Sequence, residues 1–487
     1  MNRMGPLDAL FLHTEDGTTH MHIGSCAIFA GPPPSMEELE THISARLHLV
    51  ERFRQRVRFV PGDLGRPVWV DDQRFDLGFH LRHTSLPAHA CEAQLEALMG
   101  RLMSQELDRD RPLWEMWLVE GLPDHRWALI SKVHHCMVDG VSGTDLMTVL
   151  MDPSEDAGIT TAPPWLPQPE PTATQLLFDA LSESARGPWH QLIAIGRAAA
   201  APAQTVHRLA ATAKGMRSFA ERLMKQTTPL SIEGAIGRQR RWAVGRCSLA
   251  DAKLIRSVFG GSVNDVVLTA ITSAFHDLLI ERGDLIDGAT LTSLVPVSIR
   301  LPTDHDLNNR VSMMLAELPV GLSDPLERFQ AVLQQMVDVK ASQEAIAGTA
   351  VFEAADLLPP AFFALLARAT MSILRQTPQR AVNTVTTNVP GPQLRLFAIG
   401  REMLEYLPYV PITAGVRIGV AILSYNGQIS FGVTGDYDST PDIHTMAEGI
   451  EAAVAELTEL AAHERRASTD RSAIQHRQSP GRSRATP

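Results

Sequence analysis

Residues 162–171, Ala-Pro-Pro-Trp-Leu-Pro-Gln-Pro-Glu-Pro, place five prolines within ten positions. Each proline fixes φ and removes a backbone donor, so the segment sustains neither a helix nor a central strand. It behaves as a stiff spacer. A chain of 487 residues is also long for one core, and two domains of roughly 200 residues are the natural expectation. The expected division is a first domain over 1–160, a spacer and helical crossover over 161–238, a second domain over 239–463 and a tail over 464–487. The tail is rich in Arg, Ser, Gln and Pro and reads as disordered.

Strands and helices alternate in the first domain. Ala27–Ala30 reads as a strand end and Gly31-Pro-Pro-Pro34 as a break. Ser35-Met-Glu-Glu38 is a capping box that starts a helix toward Val50. Arg56–Val60 and Pro67–Val70 read as strands around Gly62–Arg66, and Cys91–Leu107 as a long amphipathic helix. Trp114–Val119 is a strand that leads through Gly121–Asp124 into a second one, Arg126–Val133. A helix is expected over Val141–Met151. The stretch Thr172–Lys225 is alanine-rich and helical, with a basic cast from residues such as Arg197, Arg208, Lys214 and Arg222. Such a helix commonly bridges two domains, and a membrane-surface role is the other reading.

In the second domain, Asn264–Arg282 reads as a strong helix, Thr290–Ser298 as a strand, and Asp324 as the cap of a helix reaching Ser342. Ala381–Val389 is apolar and β-branched, hence a strand. Arg417–Ser424 and Gln428–Thr434 flank Tyr-Asn-Gly427, a hairpin signature. A last helix covers Asp442–His463. Val351–Leu374 is apolar but broken by Asp356 and Pro359-Pro360; core packing is the first reading and an acyl-channel lining the second.

The net charge of −11 argues against nucleic acid, since phosphate neutralisation needs a concentrated basic surface. Cys26, Cys91, Cys136 and Cys247 are scattered, without a CxxC pair, and read as reduced intracellular thiols. The N-terminus lacks the apolar core of a signal peptide, and no run reads as a clean membrane span. A cytoplasmic protein is expected, with peripheral contact at the inner membrane face or a lipid body left open.

The chemistry concentrates in His134-His135-Cys136-Met137-Val138-Asp139-Gly140. In the strand before it, Trp127, Leu129, Ser131 and Val133 alternate with Ala128, Ile130 and Lys132. Adjacent side chains of a strand point to opposite faces, so one histidine faces a reaction centre while the other packs or hydrogen-bonds. Neutral imidazole accepts a proton near neutral pH, and a carboxylate can fix its tautomer or the loop around it. Gly140 permits a turn. The chemistry suggested is deprotonation of a hydroxyl. A zinc site is a second reading, with His20-Met21-His22 as its nearest further donors, but third and fourth ligands at regular spacing are missing; no metal is expected.

This motif and several later blocks resemble the bacterial wax ester synthase/diacylglycerol acyltransferase family. The blocks are Pro6-Leu-Asp-Ala9, Met21-His-Ile-Gly24, Arg111-Pro-Leu-Trp114, Asn264-Asp-Val-Val-Leu268, Val295-Pro-Val-Ser-Ile-Arg300 and Thr387-Asn-Val-Pro-Gly-Pro392. The HHxxxDG pattern alone is shared with peptide-synthetase condensation domains; the other blocks favour the lipid acyltransferases. Asn308-Asn309-Arg310 departs from the family's usual Gly-Asn.

The resemblance implies an α/β protein with two domains of the CoA-dependent, chloramphenicol acetyltransferase-like fold, mixed sheets flanked by helices and a channel between them. It implies that His135 is the general base, with His134 beside it, and that Asp139 orients the loop. The substrates implied are a long-chain acyl-CoA and either diacylglycerol or a long-chain alcohol, with no resident cofactor. Asn264 and Asn388 are candidate oxyanion or substrate donors, although each could instead cap a helix or turn. Arg300 ends an apolar strand and is expected to pair with Asp139; a solvated strand-end arginine is the alternative. Cys136 reads as a small buried side chain rather than a nucleophile, and Trp114 as core. The competing functions are a condensation-type acyl or peptidyl transferase and a catalytically silent lipid-binding protein.

Overall fold

The structure is a computed structural model. It describes residues 2–478 apart from 88–89, 138–148, 157, 159–161, 183–229, 285, 299–310, 342–359, 363, 366–367, 370–381 and 414. Helix α1 (Pro6–Thr14) opens with a proline in its first turn, where a missing N–H costs nothing. Strand β1 (His22–Phe29) follows, then α2 (Met36–Ser44). The expected box caps α2, Ser35 Oγ accepting from the Glu38 N–H at 3.1 Å and Glu38 accepting from the Ser35 N–H at 2.8 Å. The helix stops at Ser44 rather than Val50. Two 3-10 turns, Leu47–Leu49 and Glu51–Arg54, take over. Leu47 and Phe53 are buried there, and packing of this kind overrides helix propensity.

Strands β2 (Gln55–Arg58) and β3 (Val68–Asp71) pair antiparallel. Strand β4 (Leu81–Ser85) and helix α3 (Glu92–Met103) lead to β5 (Trp114–Leu122) and β6 (Arg126–His134), an antiparallel pair. Along β6 the expected alternation holds. Trp127, Leu129 and Val133 enter the core that also buries Trp114, while Ala128 and Ile130 enter the one beneath α3.

The second half holds β7 (Arg240–Ser248), α4 (Leu249–Phe259), α5 (Val263–Glu281), β8 (Leu291–Ser298), β9 (Val311–Leu318) and α6 (Pro325–Ala341). The chain closes with β10 (Thr384–Pro390), β11 (Phe397–Ala398), β12 (Arg401–Tyr409), β13 (Ile418–Tyr425), β14 (Gln428–Asp436) and α7 (Ile443–Gln478). The expected hairpin joins β13 to β14, with Asn426 at φ 43° and Gly427 at φ 84°. Several elements, namely α1, β4, β7, α4, β9, β11 and β12, were not legible in the sequence. In α4 the helix follows a strand without a break. Strands β9 and β12 are rich in Met, Leu and Glu, which favour helices.

The described residues form two six-stranded sheets, ordered β11-β12-β1-β6-β5-β4 and β9-β8-β10-β13-β14-β7. Both are mixed. Strands β4 and β5 run parallel, as do β8 with β10 and β10 with β13. Helices α4, α5, α6 and α7 share the main core with the second sheet.

The expected domain limits need two corrections. Strand β12 belongs to the first sheet, pairing with β1 from Met403↔Phe29 to Tyr409↔Gly24, so the 239–463 stretch contributes to both sheets. The two halves also touch directly. Trp242 Nε1 donates to Pro408 O at 3.1 Å, and Arg246 Nε lies 2.6 Å from Glu405 Oε2. Second, α7 runs on to Gln478, through the start of the segment expected to be disordered. That segment is polar all round, a composition compatible with a solvated helix as well as with coil.

Helix α5 is 19 residues long and apolar enough to cross a membrane, yet it is packed inside the second core. Gly391, in the Asn-Val-Pro-Gly-Pro block, is required by close approach: a Cβ there would lie 2.2 Å from Ser424 O.

Candidate active site

His134 is the last residue of β6 and His135 the first of a 3-10 turn, His135–Met137. The turn separates the two rings. His134 is fully buried and directly opposite His22 on β1, while His135 is half-buried. Phe11 of α1 stacks on the His135 ring, centroids 4.0 Å apart at 28°. The His135 N–H donates to Met21 O at 2.8 Å, fixing the backbone from which the ring projects.

Burial pushes the His135 pKa down to about 4; an interaction with its own backbone pulls the other way, and nearby His134 adds a smaller push down. The ring is therefore neutral at pH 7 and can accept a proton.

Behind it lies a polar cluster. The Cys136 N–H donates to His134 Nδ1 at 3.1 Å. A ring nitrogen that accepts carries no proton, so neutral His134 holds its proton on Nε2. That nitrogen lies 3.4 Å from Glu15 Oε2, and His22 Nε2 lies 3.2 Å from Glu15 Oε1. Arg109 Nη2 reaches Glu15 Oε2 at 2.6 Å, and the Met21 N–H donates to Glu15 Oε1 at 3.2 Å. Burial alone would raise the Glu15 pKa. The hydrogen bonds from His134 and His22 outweigh it and hold the carboxyl far below the usual range. Burial lowers the His22 pKa to about 3, against the opposing pull of Glu15. Among the described residues, no three His, Cys, Asp or Glu side chains are grouped to hold a metal ion.

Lys132 is fully buried on the same strand, its Nζ donating to Leu102 O at 3.0 Å and to Gln105 O. Cys136 is buried and its thiol is pushed well above the ordinary value, first by burial, which leaves no thiolate to act as nucleophile. Trp114 is core: its Nε1 donates to Phe53 O at 2.8 Å, and its ring stacks on His80 at 4.5 Å. Asn264, at the start of α5, and Asn388, on β10, are brought together, with Asn388 Nδ2 donating to Asn264 Oδ1 at 3.0 Å. Asp139, Gly140, Arg300 and the expected Val141–Met151 helix lie outside the described residues, Val149 onward excepted; so does Asn308-Asn309-Arg310.

Sequence reasoning missed Phe11, Glu15 and Arg109. Glu15 closes an apolar helix and reads as an ordinary solvent-facing end. The available signal was the His20/His22 spacing, which puts both rings on one side of a strand; they stack at 5.7 Å, beside the buried carboxylate.

The catalytic domain of wax ester synthase/diacylglycerol acyltransferases matches residues 4–267, and the C-terminal domain of the same family matches residues 307–458. The chain belongs to the wax ester synthase/diacylglycerol acyltransferase family. It is accordingly an acyltransferase, and the fold expected from the resemblance is the one found. It is 38% identical over 466 residues to a probable diacylglycerol O-acyltransferase of Mycobacterium tuberculosis, covering 94% of this chain and 96% of that one. A wax ester synthase/diacylglycerol acyltransferase from Marinobacter aquaeolei superposes with a TM-score of 0.68 at 25% identity, over 95% of this chain and 100% of that one. The starter condensation domain of rhizomide synthetase, solved with C8-CoA and Leu-SNAC, shares the fold at a TM-score of 0.57 and 12% identity, over 95% and 94% of the two chains.

Proposed function

We propose that this acyltransferase moves a long-chain acyl group from acyl-CoA to the hydroxyl of diacylglycerol, making triacylglycerol, and to long-chain alcohols, making wax esters. The carrying observation is His135: a neutral imidazole on a turn whose backbone is anchored at Met21, with one ring face held by Phe11. The diacylglycerol assignment draws on the relatives' names. Acyl-CoA is the co-substrate, and no resident cofactor is assigned.

In the reaction, His135 takes the hydroxyl proton as the alcohol oxygen attacks the thioester carbon. The resulting tetrahedral oxyanion sits beside the imidazolium and stabilises it, compensating for the low basicity that burial imposes on the unliganded ring. The C–S bond then breaks, and the CoA thiolate leaves with the proton from His135. Both substrates held in one site remove the cost of a bimolecular encounter. Within the asparagine pair, Asn388 spends an N–H on Asn264, so the Asn264 amide is the donor we assign to the oxyanion. Asp139 is assigned to loop orientation and Arg300 to pairing with it. We place the protein in the cytoplasm, peripheral to the inner membrane face or lipid bodies where its acceptors reside.

The test is thiol release from palmitoyl-CoA with diacylglycerol, hexadecanol or no acceptor, and His135→Ala alongside. Acceptor-dependent release that falls roughly 100- to 10,000-fold in the folded variant supports the reading. Folded protein that binds lipid and releases no thiol with either acceptor sinks it in favour of a silent lipid binder.

A further inference from the structure

We propose that Glu15 is a positioning residue for the acyl transfer, holding the backbone on both sides of His135 through His134 and Met21. The inference rests on the reading of His135 as the base.

Two connections run from the one carboxylate. On the first, Glu15 Oε2 faces the His134 Nε2–H at 3.4 Å, which leaves Nδ1 free to accept the Cys136 N–H at 3.1 Å. On the second, Glu15 Oε1 accepts the Met21 N–H at 3.2 Å, and the carbonyl of the same Met21 accepts the His135 N–H at 2.8 Å. His135 is thus bracketed: its own amide and that of the next residue are both satisfied by groups that Glu15 orients. Glu15 also follows directly on α1, the helix that supplies Phe11 to the face of the ring. One short stretch, Phe11 to Glu15, therefore fixes the imidazole plane and the turn that carries it.

The carboxylate is equipped for this. Its side chain is only 7% exposed, yet it stays ionised: the Met21 amide and Arg109, from the loop after α3, donate to it, and the Nε2 atoms of His22 on β1 and His134 on β6 lie 3.2 and 3.4 Å away. Other charged groups bearing on the cluster are Arg240, Glu106 and Lys132, with His20 stacked on His22. A buried anion with this many partners fixes tautomers, because each partner must present a hydrogen. Swapping it for an uncharged side chain lets His134 move its proton to Nδ1, which then repels the Cys136 N–H and loosens the turn.

The test uses Glu15→Gln and Glu15→Leu in the full chain, with two readouts. Nitrogen-15 NMR of labelled histidines, with His134 assigned by His134→Asn, reads the ring tautomer without substrate. The Nε2–H form in the wild type, lost or mixed in the variants, is expected. Steady-state kinetics should show kcat falling by up to roughly 100-fold, as a misplacement near 1 Å can cause, with KM for acyl-CoA within about threefold. Should Glu15→Leu fail to fold, Glu15→Gln decides. An unchanged His134 tautomer overturns the proposal, and so does a wild-type kcat or a loss confined to KM. If His135→Ala retained wild-type turnover, the base assignment would fall by itself, while the tautomer measurement would still decide whether Glu15 governs His134.

Discussion

Phe11 lies with its ring 4.0 Å from that of His135, so the side chain proposed to accept the substrate proton has one face closed to water by α1. This contact and the burial around it account for a histidine pKa near 4. Activity that needs the neutral base is lost as pH falls through that value. The wild-type kcat/KM should therefore hold steady from neutral pH down to about 4 before dropping. Phe11→Ala admits water, relieves the desolvation and moves this acid limb upward, toward the ordinary 6.5. The lost stack is worth about 0.5–1.5 kcal/mol. A pH–rate series on both proteins checks it; superimposable profiles would disprove the account.

Stability should fall as pH drops below 6.5. His13, His20, His22, His42, His80 and His135 all have pKa values lowered below 6.5, with burial the first cause in each. The unfolded chain then binds protons that the folded chain refuses, so acid favours unfolding; Glu96, raised to about 7 by burial, acts in the opposite sense but is one group against six. For His22 this window runs from 6.5 down to about 3, and for His135 down to about 4. Each contributes a slope of up to roughly 1.4 kcal/mol per pH unit inside its window. Glu15 adds the same sign below 4.5, where an unfolded carboxylate takes up a proton that the folded one resists. Urea titrations at pH 7.5, 6.5 and 5.5 (about one unit apart) measure the slope; stability that stayed level over this range would contradict the burial of neutral imidazoles.

The junction of the two sheets should be intolerant of a single methyl group. Gly432 of β14 lies so close to β12 that an added Cβ would be 1.7 Å from Pro408 O, the carbonyl that also accepts from Trp242 Nε1. Gly432→Ala must push the sheets apart, at a cost of about 1–3 kcal/mol. Gly427→Ala, at a turn where nothing lies within 4 Å of the new Cβ, carries only the strain of its positive φ. The ordering of their melting temperatures tests the assignment.

Asn264 and Asn388 should behave as a pair. Their side-chain amides meet at 3.0 Å, across the start of α5 and the end of β10. Their alanine variants should show a coupling of about 0.5–1.5 kcal/mol in a double-mutant cycle for stability. If Asn264 also serves the oxyanion, Asn264→Ala should reduce kcat more than Asn388→Ala does. Strict additivity in stability would remove the pair.

Much of the strand pattern near the site could be read directly, since β5 and β6 are short runs rich in Trp, Leu, Ile and Val, and β6 sends successive side chains into two different cores. The same holds for the Ser35 cap and the Asn426-Gly427 hairpin, where local chemistry and local geometry agree. Strands β9 and β12 were hidden for the opposite reason: their residues favour helices, and only neighbours distant in sequence make them strands. The helical continuation of α7 was hidden because a polar helix and a coil share a composition.

By itself the sequence determined the family, through motifs spread over the chain, and it pointed to separate environments for His134 and His135, although the separation comes from a turn that starts at His135 and not from alternation along a continuing strand. The tertiary structure decided everything that depends on long-range pairing. It put β12 from the second half into the first sheet, set His22 opposite His134, and brought Phe11, Glu15 and Arg109 around the histidine turn. The physical reason is that a buried carboxylate is stable only where donors from several segments converge, and no short stretch of sequence contains that convergence.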